Sequence, residues 1–138
     1  MKLITLLQIA GLLHVGLLCA GALMPRVVGL NRHLVGLPPF VRNLMWVYYG
    51  FIGVSLACFG ALSFFLAEEL ASGEPLARAV CAFLAAFWTA RLLVALFVFD
   101  LQPYLTDRWR KLGYHTINIV FALLPVIYTW AAWKGGEL

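Results

Sequence analysis

Residues 3–24, 44–67, 79–99 and 113–133 form four runs in which apolar side chains predominate. Wound as an α-helix at about 1.5 Å per residue, a run of that length covers the roughly 30 Å hydrocarbon core of a bilayer. A membrane β-strand needs only about 9–11 residues and alternates apolar with polar, a pattern that none of the four shows. The runs therefore predict an all-α integral membrane protein: one domain over residues 1–138, built as a bundle of four transmembrane helices.

Composition excludes the soluble alternative. Of 138 residues 64% are hydrophobic and 12% charged, with a mean hydropathy of +0.94, whereas a soluble domain carries roughly 25% charged residues. So short a chain has one core at most and too few polar side chains to cover it in water. The formal charge of +4 is small and spread between the apolar runs. Nucleic acid is not an expected partner; anionic lipid headgroups are. Cys19, Cys58 and Cys81 fall in three different runs without Cys-x-x-Cys spacing, and they read as small packing residues. No repeat or low-complexity tract interrupts the pattern.

The punctuation between runs sets the topology. Pro25-Arg26, Glu68-Glu69, Asp100 and Lys134 close the four runs in turn. A cleaved signal peptide is the rival for the first run, because Ala20-Gly21-Ala22 has small-x-small character; the run exceeds the usual 7–15 residues, which favours a retained helix. Arg26, Arg32 and Arg42 lie between the first and second runs, and Arg108, Arg110 and Lys111 between the third and fourth; the opposite side holds Lys2, Arg78 and Lys134. Basic loops stay cytoplasmic, so both termini are expected outside, in a cell membrane of the bacterial inner-membrane type. Trp46, Tyr48, Tyr49, Tyr104, Trp109 and Tyr114 then fall at the inner interface and Tyr128, Trp130 and Trp133 at the outer one, where amphipathic rings anchor. Residues 25–43 mix Arg26, Arg32, His33 and Arg42 with apolar side chains around Pro38-Pro39, which predicts a segment lying in the inner interface. The six inner cations, Arg26, Arg32, Arg42, Arg108, Arg110 and Lys111, form the expected lipid-facing set.

Polar residues inside the runs are the candidates for a site. Arg91 stands twelve positions into the third run, where a cation costs at least about 2.5–3.5 kcal/mol on insertion scales. Trp88, one turn earlier, is placed to stack on its guanidinium. Snorkelling to the headgroups is the structural alternative. In the fourth run His115, Asn118, Ala122, Pro125, Thr129 and Ala132 share one helix face, which is expected to point inward because lipid rejects His and Asn. With His14 at mid-depth in the first run, His14, Arg91, His115 and Asn118 define an expected polar pocket opening to the cytoplasmic leaflet. Ala82, Ala86 and Ala90, and Gly53, Ala57 and Ala61, form small-residue rows that suit close helix packing.

No cofactor is expected. Haem needs two axial ligands at one level, and His14 and His115 differ in depth by roughly 12 Å at helical rise. His33 and His115 lack a carboxylate or thiolate at metal-ligand spacing. Hydrolase, phosphate-loop and dinucleotide motifs are absent. Two functional classes remain. One is a non-enzymatic module that binds a lipid, a quinone or a partner helix at the polar face, alone, as a homo-oligomer or in a larger membrane complex. The other is a small lipid-modifying enzyme, or an anion or solute carrier, using the same pocket. The module is favoured because no second acid-base group stands clearly beside a histidine.

Overall fold

Prolines, more than the edges of the apolar runs, decide where the helices begin. Pro39 and Pro75 each open a long helix, where a missing N–H costs nothing because the first four N–H groups have no intrahelical acceptor. A computed structural model describes residues 2–136, in the order α1 (Leu3–Val27), α2 (Leu30–Leu34), α3 (Pro39–Phe65), α4 (Ala67–Ala71), α5 (Pro75–Phe97), a 3-10 turn (Gln102–Tyr104) and α6 (Arg108–Lys134). No strand occurs among the described residues. Helices α1, α3, α5 and α6 are each long and apolar enough to cross a membrane.

The boundaries correct the sequence reading in three places. The segment 25–43 is mostly helical: α1 runs on to Val27, α2 occupies Leu30–Leu34, and the Pro38-Pro39 pair starts α3 instead of sitting in a loop. Pro25 lies inside the last turns of α1. Proline offers no N–H to the carbonyl four residues earlier, here that of Gly21, and the Tyr49 hydroxyl on α3 donates to that same oxygen. Tyr49 thus joins two helices, beyond the anchoring expected of it. Finally, α5 starts four residues before the third run and ends at Phe97. Arg91 therefore lies six residues from the end of α5, about 9 Å at helical rise.

Chain order gives two hairpins. Helix α1 packs chiefly on α3 and α5 chiefly on α6, while α1 and α6 join the pairs and α4 fills in against α1 and α5. In lipid, apolar contact alone does not drive helices together, so close packing and polar contacts must. The α1–α3 crossing has both, with Gly11 against Gly60 and Gly60 against His14. The rows Ala82–Ala86–Ala90 and Ala57–Ala61 do not serve this purpose: they lie on the exposed surface.

The two ends of the bundle differ. The end bearing Glu68, Glu69 and Glu74 is laced shut. Arg78 donates from Nε to the Gly73 carbonyl (2.9 Å) and from Nη2 to that of Gly135 (3.1 Å), and the Gly136 N–H reaches the Ala71 carbonyl (3.0 Å). Gly73 is left-handed (φ 77°) and any β-carbon there would collide with Gly135, so only glycine fits this turn. At the other end, which carries Arg26, Arg32, Arg42, Arg108, Arg110 and Lys111, all six cations are exposed. Most of the inward stripes lose cover in this direction. Buried Leu17 gives way to partly exposed Gly21 and Met24, Phe121 to Ile117 and Tyr114, and Trp88 to Arg91, although Ala95 is covered again.

Candidate functional site

The most enclosed polar groups come from all four long helices. His14 of α1 is fully buried, as are Ser63 of α3 and Tyr128 of α6, and Trp88 of α5 is 1% exposed. Each lies on its helix's inward stripe: Leu7, Ala10, His14 and Leu17 on α1, Cys81, Leu84 and Trp88 on α5, Leu124, Tyr128 and Ala131 on α6. The imidazole of His14 meets three rings edge-on, Trp88 at 5.1 Å, Tyr128 at 6.3 Å and Phe59 at 6.4 Å between centroids. Its Nδ1 lies 2.7 Å from the Ala10 carbonyl. A carbonyl only accepts, so Nδ1 carries the hydrogen. The Tyr128 and Ser63 hydroxyls pair at 2.5 Å. That bond corrects the assignment of Tyr128 as an outer-interface anchor, since its hydroxyl is satisfied inside the bundle. Trp130 and Trp133, by contrast, are exposed.

Arg91 is tied to this cluster through an aromatic step. Trp88 stacks on Phe121 of α6 at 5.7 Å and 28°. The Arg91 guanidinium carbon lies 5.1 Å from the Phe121 centroid and 5.5 Å from that of Phe99. The cation therefore rests on two phenylalanines, and the expected partner, Trp88, stacks on Phe121 instead. A cation–π contact is worth about 0.5–2 kcal/mol depending on desolvation. Two of them offset much of the insertion cost of about 2.5–3.5 kcal/mol. They leave the in-plane N–H donors unused, for ring faces take none of the five. Among the described residues no carboxylate or hydrogen-bond acceptor pairs with Arg91; the ion pair there joins Arg110 to Asp107 at 3.6 Å. Asp100 is exposed and accepts from the Gln102 N–H.

The polar stripe expected on the fourth helix does not face inward. His115, Ala122 and Thr129 are exposed, Asn118 and Ala132 are partly buried, and only Pro125 is fully covered. The inward face is turned towards Phe121, Leu124, Tyr128 and Ala131 instead. The large rings of Phe121 and Tyr128 have most contact area to gain, and Ser63 supplies the polar partner that Tyr128 requires. Of the four expected ligand-binding residues, the ring contacts connect His14 and Arg91 through Trp88 and Phe121. Asn118 lies one turn from Phe121 on α6, on the flank of that chain. His115 stands apart, exposed beside Tyr114 at 5.5 Å.

Ser63 escaped the sequence reading, and Tyr128 was read only as an interface anchor. The signal that could have found Ser63 is the spacing Tyr49, Gly53, Leu56, Gly60, Ser63, which alternates four and three along one face of α3. Among the described residues no group of three or more His, Cys, Asp or Glu is placed to hold a metal ion. The hollows near Pro125, Thr129, Trp130 and Trp133 are open at the surface. Comparison with known proteins gives no match to a family model, to a curated protein or to a solved structure.

Proposed function

We propose that the chain is a non-enzymatic membrane module that holds the polar headgroup of a lipid or quinone at Arg91, with the basic end of the bundle facing the cytoplasm. The observation that carries this reading is the state of Arg91. Its guanidinium carbon lies 5.5 Å from the Phe99 ring centroid and 5.1 Å from that of Phe121, without an anionic partner among the described residues, and it sits at the level where the inward stripes lose their cover. A guanidinium whose faces are occupied and whose edge is free favours a flat, two-oxygen acceptor, such as a phosphodiester or a carbonyl pair. From about 9 Å inside the end of α5 a long arginine side chain reaches towards the headgroup layer. The exposed cations of the same end surround such a ligand with favourable charge.

Catalysis is less well supported. Among the described residues no carboxylate, thiol or hydroxyl is in hydrogen-bonding contact with His14; its Nδ1 is held by a backbone carbonyl. Covalent or acid-base chemistry needs a base within reach of a nucleophile or substrate proton.

The test compares wild type, Arg91→Met and Arg91→Lys, purified in native-membrane discs, by mass spectrometry of retained amphiphiles. Arg91→Met keeps the apolar stem and removes the fork. It is expected to fold and to lose the retained phospholipid or quinone, while Arg91→Lys, with a point charge, retains a reduced amount. Equal retention in all three would end this reading and leave Arg91 a snorkelling residue.

A further inference from the structure

Two hollows adjoin on the outward side of α6, at the acidic end of the bundle. The larger, about 640 Å³, runs along α6 from Pro125 and Val126 past Thr129 and Trp130 to Trp133 and Lys134. The smaller, about 440 Å³, brings in α5 and is lined by Arg78, Thr129, Ala132 and Trp133. Thr129 and Trp133 border both, so the two form one groove. Each volume falls in the range of small-molecule sites, roughly 300–1,000 Å³. In a bilayer the open side of this groove meets lipid.

The groove is graded along its length. Pro125 stands nine residues before Lys134, about 13 Å at helical rise, close to half of a roughly 30 Å hydrocarbon core. The deep part, at Pro125 and Val126, is apolar. The end nearer Lys134 gathers donors. Arg78 is held by two carbonyls, Gly73 at 2.9 Å and Gly135 at 3.1 Å, which fix the fork and use two of its five N–H groups. A carbonyl carries no net charge, and among the described residues no carboxylate pairs with Arg78. Thr89 and Thr116 each donate to the carbonyl four residues back. The exposed Thr129 hydroxyl makes no such bond among the described residues. The Trp133 indole N–H only donates. Glu68, Glu69 and Glu74 do not line the groove. A free anion would leave the deep part unused, and an apolar molecule would leave Arg78 unused. A phospholipid suits both.

We infer that this groove binds one phospholipid of the leaflet at the acidic end, with its phosphate at Arg78 and Thr129 and one acyl chain along Val126 to Pro125. Arginine suits a phosphate because its planar fork presents parallel N–H donors to two oxygens. The site is separate from Arg91. Arg78 stands thirteen residues earlier on α5, about 20 Å away at helical rise, and so serves the other leaflet whether or not Arg91 holds a headgroup.

The experiment uses the full chain in phosphatidylcholine vesicles containing a trace of phosphatidylglycerol with a diazirine part-way along one acyl chain. A parallel sample carries the diacylglycerol with the same chain, which lacks the phosphate. After photolysis, peptide mass spectrometry compares adducts at residues 125–133 with those at Phe51 and Val54, which are exposed on α3. The expected result is an excess on α6 for the phospholipid and none for the diacylglycerol. Arg78→Gln should lower that excess about fivefold, the effect of one surface cation on an anionic headgroup. Because Arg78 also laces the chain end, Val126→Trp is the second variant: Val126 is exposed, and the added ring fills the deep part without touching Arg78. It too should remove the excess, while Arg91→Met should leave it unchanged, so that failure of this site and failure of the Arg91 reading are told apart. Even labelling of α3 and α6 would mean annular lipid only and overturn the inference. So would an excess that the diacylglycerol shares, or one that survives Val126→Trp.

Discussion

Gly11 and Gly60 stand face to face where α1 crosses α3: a β-carbon on Gly11 would come 2.9 Å from the Gly60 carbonyl oxygen, and one on Gly60 would come 2.9 Å from Cβ of His14. The first obstacle is backbone and cannot step aside. Gly11→Ala and Gly60→Ala should therefore each destabilise the protein by about 1–3 kcal/mol, the usual cost of overpacking. Gly53→Ala, with nothing within 4 Å of the added carbon, should stay within about 0.5 kcal/mol of wild type. Thermal unfolding in detergent measures all three, and an equal response would show that the crossing is looser than described.

Ser63 and Tyr128 are expected to be coupled. Their hydroxyls pair at 2.5 Å between α3 and α6, and hydrogen bonds between membrane helices contribute about 0.6 kcal/mol on average and up to about 1.7. Tyr128→Phe and Ser63→Ala should each cost about that much, and the double variant little more than either alone. Strictly additive losses in a double-mutant cycle would contradict the bond.

Lipid preference should follow the exposed arginines. Each surface cation is worth about 1 kcal/mol towards anionic headgroups. Replacing Arg26, Arg32 and Arg42 together by Gln should lower enrichment of anionic over zwitterionic lipid around the purified protein, and high salt should reproduce the effect in wild type. Unchanged enrichment in mixed-lipid nanodiscs would remove these residues from the lipid-facing set.

Orientation is predicted by the same charges. Six Lys and Arg lie at the basic end of the bundle, against Lys2, Arg78 and Lys134 at the other. Alkaline phosphatase fused at the C-terminus should be active and green fluorescent protein dark, as for an exported terminus. The opposite pair of readings would invert the bundle and place the Arg91 level at the outer leaflet.

Length and hydropathy were enough to foresee four helices long and apolar enough to span a bilayer, because its thickness sets both requirements. Their ends were less legible. Proline is a terminator inside a helix and a starter in its first turn, and the letters at Pro25, Pro39 and Pro75 do not say which case holds. Pro25 is tolerated inside α1 where the Tyr49 hydroxyl, 28 residues away in the chain, takes up the Gly21 carbonyl. The inward faces were harder still. Polarity suggested that the His115–Asn118 face of α6 must be hidden, yet at the basic end a helix face can be exposed within reach of headgroups. Tyr128 turned inward because Ser63 awaited it, a pairing that depends on tertiary placement. His14 and Arg91 were visible as isolated polar residues in apolar runs; Trp88 was expected to stack on Arg91 directly, and the ring that stands between them, Phe121, carried no signal in the sequence.

The pairing of neighbouring spans bears on how the chain assembles. Helix α1 finds its main partner, α3, in the next span to be synthesised, and α5 finds α6 in the same way. Each hairpin can close as soon as its second helix is made, without waiting for distant sequence. The junction of the hairpins must form last, because Tyr128 and Phe121 arrive with the final span. Until then His14, Ser63 and Trp88 lack their α6 neighbours. A chain truncated before Phe121 would leave Ser63 without its hydroxyl partner, and His14 and Trp88 without the rings of Tyr128 and Phe121.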